Sequence, residues 1–159
     1  MRAIEKTFNL LQQVSGRAGR SKQKGKGIIQ TYYPKQSIIR ALKNHDRKSF
    51  IEQALIEREQ FAIPPFGFMT SLIISSSSKN LTESYAMNLV KIPINDNRIS
   101  ILGPVQAPIF LLRGKYRFRI LLKGGNRKNL NKFTIKMLNF IPKPPSVKVI
   151  VDVDPYTFA

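Results

Sequence analysis

Lys115–Lys123 reads KYRFRILLK, and its alternation decides how the second half of the chain folds. Tyr116, Phe118, Ile120 and Leu122 fall on one side of an extended strand. Lys115, Arg117, Arg119 and Lys123 fall on the other, with Leu121 among them. A period of two belongs to a strand with one face in a core and the other in water. The basic row is expected to be a cationic stripe suited to a phosphate backbone. Tyr116 and Phe118 would stack on bases only with their face exposed, and a core role is favoured for both.

Working outward from this strand, ISILGPV (99–105) and MTSLIIS (69–75) read as further strands, and VKVIVDVD (147–154) as a last one. QAPIFLLRGK is expected to be the connection into 116–122, and SSSSKN (75–80) a loop. LTESYAMNLVK (81–91) has Leu81, Tyr85 and Leu89 at helical spacing. RKNLNKFTIKMLNFI (127–141) has Leu130, Phe133, Met137, Leu138 and Ile141 inward, and Lys128, Lys132 and Lys136 as a second basic stripe. That Lys stripe is equally the solvated face of an ordinary helix. The order β-α-β-β-α-β predicts an α+β domain of split βαβ, ferredoxin-like type over 66–159. Asp152 and Asp154 alternate in the last strand and are expected to share a face; the pair could hold a cation, but two solvated carboxylates, open to pairing with local Arg or Lys, are favoured.

The first half reads differently. Residues 3–15 form a helix with Ile4, Phe8, Leu11 and Val14 on one face, and GIIQTYY (27–33) is a short β run. KQSIIRALKNH gives a short helix. Asp46 caps a longer one through Phe61, with Phe50, Ala54, Leu55, Arg58 and Phe61 on one face. Pro64 and Pro65 stop it. The expected division is 1–35, a helical connector over 36–65, and the domain from 66 onward.

Charge is the strongest global signal. Twenty-seven Lys and Arg against nine Asp and Glu give +18, and the region between Asp96 and Asp152 holds twelve basic residues and no acid. Such a field favours polyanions. There is no Cys and one His, so thiolate metal sites and a supported Ser-His-Asp triad are excluded. His45, just before a helix, suits a capping or surface role. No apolar run is long enough to cross a membrane and no signal peptide is evident, so a cytoplasmic setting without membrane partners is expected.

One motif stands apart. LLQQVSGRAGRSKQKGKG (10–27) breaks from an apolar helix into two Gly-Arg pairs. Arg17 and Arg20, three apart, reach one side of a continuing helical path. A guanidinium binds phosphate with a planar, permanently charged fork, and in nucleotide hydrolysis it neutralises charge on the transferring phosphoryl. The alternative is a basic loop in solvent or on nucleic acid. The chain has no G-x-x-x-x-G-K-[ST] phosphate loop.

Gln13, Gly16, Arg17 and Arg20 match the sixth motif of superfamily 2 helicases. Together with RAIEKTFNLLQQVSGRAGR, GKGIIQTYYP, EREQFAIPPF, ILGPVQAPIFLLRGKYRFRILLKG and VDVDPYTF, the chain resembles the PriA family of primosomal DNA helicases along essentially its whole length. The resemblance implies the end of a RecA-like second motor lobe followed by the family's C-terminal domain. The family's phosphate loop, Mg-binding motif and zinc module have no counterpart here, and Met1 falls at a position internal to the family's pattern. A fragment is therefore expected, inactive as a motor by itself. In an intact 3′-to-5′ helicase that restarts replication forks, ATP and Mg would bind in the cleft. Gln13, Gly16 and Gly19 would line it, Arg20 would be the arginine finger, and Arg17 would either face the γ-phosphate or couple the two motor lobes. Zinc would bind only residues outside this chain. Lys115, Arg117, Arg119, Lys128, Lys132 and Lys136 would contact forked or single-stranded DNA. Arg127 and Asn131 would contact the acidic tail of single-stranded-DNA-binding protein, beside other primosome partners. The other reading is a stand-alone basic module that binds single-stranded nucleic acid or an acidic protein tail.

Overall fold

The computed structural model describes residues 3–17 and 27–156. The chain divides into two compact units, 1–57 and 58–159. The division falls somewhat before the Pro64–Pro65 turn. Arg58, in the last turn of a helix, belongs to the second unit and donates to Pro64 O at 2.7 Å.

The first unit is helical. Helix α1 (Ala3–Arg17) continues through Gly16, and α2 (Ser37–Lys43) and the start of α3 (Arg47–Gln60) follow. Asp46 caps α3, its Oδ1 accepting from Ser49 N at 3.0 Å. The small core is Phe8, Ile38, Ala41 and Phe50. Phe8 stacks on Phe50 with centroids 4.2 Å apart and planes 7° apart. Ile4 and Val14, expected beside Phe8, are 55% and 67% exposed. In α3 the expected apolar face reduces to Phe50, with Leu55 and Phe61 exposed. The expected strand over 27–33 is absent: Ile28 is 92% and Tyr32 97% exposed. An extended segment becomes a strand only with a partner to pair its main chain, and the described residues of this unit form no sheet.

The second unit is a four-stranded antiparallel sheet with helices on one face. Its elements are β1 (Phe68–Ser76), α4 (Lys79–Leu89), β2 (Ile99–Leu112), β3 (Lys115–Gly124), α5 (Arg127–Leu138) and β4 (Lys148–Val153). The strand order β2-β3-β1-β4 is that of a split βαβ unit. Leu72 and Ile74 sit opposite Ile120 and Phe118. Tyr85, Ala86 and Leu89 of α4 and Leu130, Phe133 and Met137 of α5 close over them. Ser78 caps α4, accepting from Leu81 N, and Asn126 caps α5, accepting from Asn129 N at 3.1 Å. Ser75 and Ser76 belong to β1 rather than to a loop.

The expected connection 106–115 is mostly strand. β2 runs to Leu112 and a tight turn at Arg113 and Gly114, with φ of 51° and 73°, returns the chain into β3. Two positive φ values match the right-handed twist of a hairpin. Pro104 and Pro108 lie within two register shifts in its pairing, and Pro108 is what masks the second half of the strand in the sequence. At such irregularities a missing N–H costs no ladder bond.

The first unit hangs on one aromatic pair, so Phe8→Ala should cost about 3 kcal/mol or more. Hydrogen exchange would show α2 amides losing protection while β1 and β3 amides keep theirs. Equal loss in both units would contradict the division.

Candidate nucleic-acid interface

Residues paired across neighbouring strands share a face, so the register identifies the side of the sheet away from the helices. Ser75 lies between Arg117 on β3 and Lys148 on β4, and Ile73 between Arg119 and Ile150. Leu112 pairs with Lys115, and Ser100 with Lys123. The alternation read from Lys115–Lys123 therefore holds. Phe118, Ile120 and Leu122 are buried beneath the helices, and half-buried Tyr116 packs against Phe110 at 5.4 Å.

The basic row is not uniformly available. Arg119 is only 6% exposed, which corrects its expected place as a phosphate contact. It sits mid-strand between Ile73 and Val105. Burial lowers its pKa first, the Arg117 charge lowers it further, and Asp152 opposes both. Lys123 Nζ donates to Phe61 O. Arg117 is half-buried and donates to Ile109 O at 3.3 Å, while Lys115 is exposed. Exposed Lys148 joins them on this face. Lys148 is not among the sequence candidates, although its parity within VKVIVDVD carries the signal. Arg117 and Lys148 are separated by one strand, roughly 10 Å between main chains.

Lys128, Lys132 and Lys136 are all exposed on α5. The helix packs on the opposite face of the sheet through Leu130, Phe133 and Met137. The two basic stripes are thus separate surfaces on opposite faces of the unit.

Arg127 opens α5 and is already engaged. Its NH2 is ion-paired with Asp154 Oδ2, and its guanidinium lies 5.1 Å from the Phe68 ring centroid. Asp154 Oδ1 also accepts from Met69 N at 3.3 Å. Asp154 lies past the end of β4 with φ of 51°, so it does not share a face with Asp152 as strand alternation implied. Asn131 is exposed one turn after Arg127. Elsewhere in the unit, Asp96 is held below the usual carboxylate range by its hydrogen bond from Arg98.

At the other end of the chain, Gln13, Gly16 and Arg17 are exposed on the last turns of α1. Gly19 and Arg20 lie outside the described residues. Gln13 and Arg17 are four apart and share a helix face. They suit the edge of a polyphosphate, but the sequence has no loop to cradle phosphates. With no Cys and one His, the chain does not fit zinc. Among the described residues no cluster of His, Cys, Asp or Glu could hold a metal ion, and no helix is long and apolar enough to cross a membrane.

The double duty of Asp154 sets a graded expectation. Asp154→Asn keeps an acceptor and tolerates the positive φ, and should cost less than about 1 kcal/mol. Asp154→Ala also removes the acceptor for Met69 N and should cost about 1–2 kcal/mol. Urea unfolding would rank them, and equal costs would mean that the Met69 bond contributes nothing.

The family profile for the primosomal protein N C-terminal domain matches residues 59–156. The replication restart protein PriA of Rickettsia typhi is 40% identical over 158 residues, covering 99% of this chain and 24% of its own length. The proteins of the same name from Synechocystis and Bacillus subtilis are 35% and 30% identical, covering 97% and 98% of this chain and 18% and 20% of their own. The chain thus spans about a quarter or less of these relatives. With its sheet and both packed helices inside the matched region, the chain belongs to the primosomal protein N C-terminal domain family.

Proposed function

We propose that this chain supplies the DNA-contacting end of an ATP-dependent 3′-to-5′ helicase that acts in replication restart and primosome assembly. Similarity to replication restart proteins over 97–99% of the chain carries this reading. Residues 1–35 are the edge of a RecA-like motor lobe, 36–65 a helical connector and 66–159 the C-terminal domain. Exposed Ile4, Leu10, Val14, Ile28 and Tyr32 support the lobe assignment, because apolar surface of this kind marks a contact with another body. In the assembled motor Gln13, Gly16 and Gly19 line the nucleotide cleft. Arg17 and Arg20 bring positive charge to the phosphates, with Arg20 as the finger. When ATP and Mg are bound there, phosphoryl transfer to water supplies the energy. This chain contributes guanidinium charge, and its sequence has no phosphate loop beside which the metal would sit.

DNA contact runs through Lys115, Arg117 and Lys148 on the open sheet face, with Lys128, Lys132 and Lys136 as a second backbone contact. Arg127 and Asn131 receive the acidic tail of single-stranded-DNA-binding protein, and Asp154 must yield Arg127 for a tail carboxylate to replace it. The setting is cytoplasmic. The alternative is a stand-alone basic module. Its support is that the C-terminal unit has a closed core of its own, built from both helices and three of its strands.

Fluorescence anisotropy with forked, single-stranded and duplex DNA across a salt series tests the DNA reading. Binding should weaken steeply with salt. Arg117→Gln with Lys148→Gln should lower the slope of log affinity against log salt by about 1.5–2. An unchanged slope would remove the sheet face from the interface. The purified chain should turn over no ATP above background, with or without DNA, and metal-dependent turnover would overturn its role as one part of a motor.

A further inference from the structure

β4 is an edge strand whose sequence is complementary to itself. It pairs with β1 alone, and no strand among the described residues covers its other edge. Asp154 N donates to Met69 O at 2.8 Å. Continuing that register, Asp152, Ile150 and Lys148 face Ser71, Ile73 and Ser75. Antiparallel pairs alternate between hydrogen-bonded and non-hydrogen-bonded. The main-chain polar groups of Lys148, Ile150 and Asp152 are therefore turned toward β1. Those of Val149, Val151 and Val153 are turned outward.

The strand is also apolar where it is open. Ile150, Val151 and Val153 are 44%, 41% and 47% exposed. Natural sheets guard such edges with charge, bulges or proline. Here only Lys148 and Asp152 stand guard, and they carry opposite signs. On the helix side, Val149 and Val151 form one wall of an apolar groove of about 560 Å³, completed by Tyr85, Leu138, Ile141 and Lys143. Tyr85 is 4% exposed and its hydroxyl has no hydrogen-bond partner among the described residues.

We propose that β4 pairs antiparallel with β4 of a second copy of this chain, about a two-fold axis at Ile150, joining two four-stranded sheets into one. Ile150 then meets the partner's Ile150 as a close, non-hydrogen-bonded pair. Val149 exchanges both main-chain bonds with the partner's Val151, and the converse pair repeats by symmetry. These valines lie beside the two grooves, where the added strand covers apolar wall. Lys148 stands opposite the partner's Asp152, and Asp152 opposite the partner's Lys148. A shift of one residue turns every side chain to the wrong face. A shift of two breaks both charge pairs: in one direction it sets Lys148 against Ile150, and in the other against the partner's Asp154, which lies past the end of the strand and is already paired with Arg127. Charge therefore selects the register.

Self-complementarity is what favours a second copy over an unrelated extended peptide, which would need no such pattern in β4. The net charge of +18 opposes the approach of two copies. Association is therefore weak and is favoured by salt, the reverse of polyanion binding. The proposal does not rest on the DNA reading, because it is argued from the main-chain edge of β4; Lys148 alone belongs to both surfaces.

Cysteine cross-linking on the full chain tests it. The chain has no cysteine, so Ile150→Cys can form only an intermolecular disulfide. Under mild oxidation it should give about tenfold more covalent dimer than Asn80→Cys on exposed α4. Yield should rise from low to moderate salt. In the Ile150→Cys background, Val151→Pro removes an outward N–H and should abolish the dimer while circular dichroism stays unchanged. Lys148→Asp should cut the yield, and Lys148→Asp with Asp152→Lys should restore it to within about twofold. The charge exchange keeps the test decisive if the proline variant does not fold. Equal yields from Ile150→Cys and Asn80→Cys would overturn the pairing, as would failure of the charge exchange to restore it. A yield that falls with salt would assign the dimer to a bridging polyanion and overturn it equally.

Discussion

The second unit depends on the contact between the inner pair of strands and two helices. β1 and β3 lie at the centre of the sheet, and Leu72, Ile74, Ile120 and Leu122 are wholly buried there. Each such side chain contributes about 1.5–3 kcal/mol by leaving water, and together they set which way every other residue of these strands faces. Because the side-chain period of a strand is two, burying Phe118 and Ile120 commits Arg117 and Arg119 to the other side. The basic character of the open face follows from the core. The helices are held to the same register by their caps, Ser78 and Asn126, at the points where the chain leaves β1 and β3.

Commitment to a face is not the same as exposure, and Arg119 shows why. A mid-strand residue near the middle of a sheet is covered by its cross-strand neighbours, here Ile73 and Val105. Residues toward strand ends or edges, such as Lys115 and Lys148, keep their charge in water. Arg119 is better understood as a charge held over the sheet near Asp152 than as a phosphate contact. Arg127 is a similar case. Its position at the start of α5 makes it look available, yet Asp154 and Phe68 occupy it.

These cases mark the limit of what was legible in the sequence. The order of elements in the second half was legible because Leu130, Phe133 and Met137 repeat at helical spacing and Tyr116–Leu122 alternates. The hairpin at Arg113–Gly114 was not, because Pro108 imitates a loop unless the register shift that tolerates it is known. Asp154 was misplaced because a single positive φ ends strand alternation, and nothing in VDVD announces it. Phe8 with Phe50 joins residues far apart in sequence, so neither helix pattern alone singled out the pair. The strand expected at 27–33 failed for a different reason. Propensity supplies an extended backbone, but only a partner supplies the hydrogen bonds that make it a strand.

The charge on this chain acts over different ranges on its different surfaces. On a sheet face or an outer helix face, Lys and Arg gain by releasing counterions from a polyanion, and salt weakens that gain. At the β4 edge the same net charge is an obstacle, and salt lowers it by screening. An edge with its valines bare would ordinarily invite indiscriminate pairing. The long-range repulsion of +18 holds such pairing back, while the alternation of Lys148 and Asp152 leaves one register least penalised. Long-range repulsion thus sets how readily any partner strand approaches, and short-range complementarity sets which partner can stay.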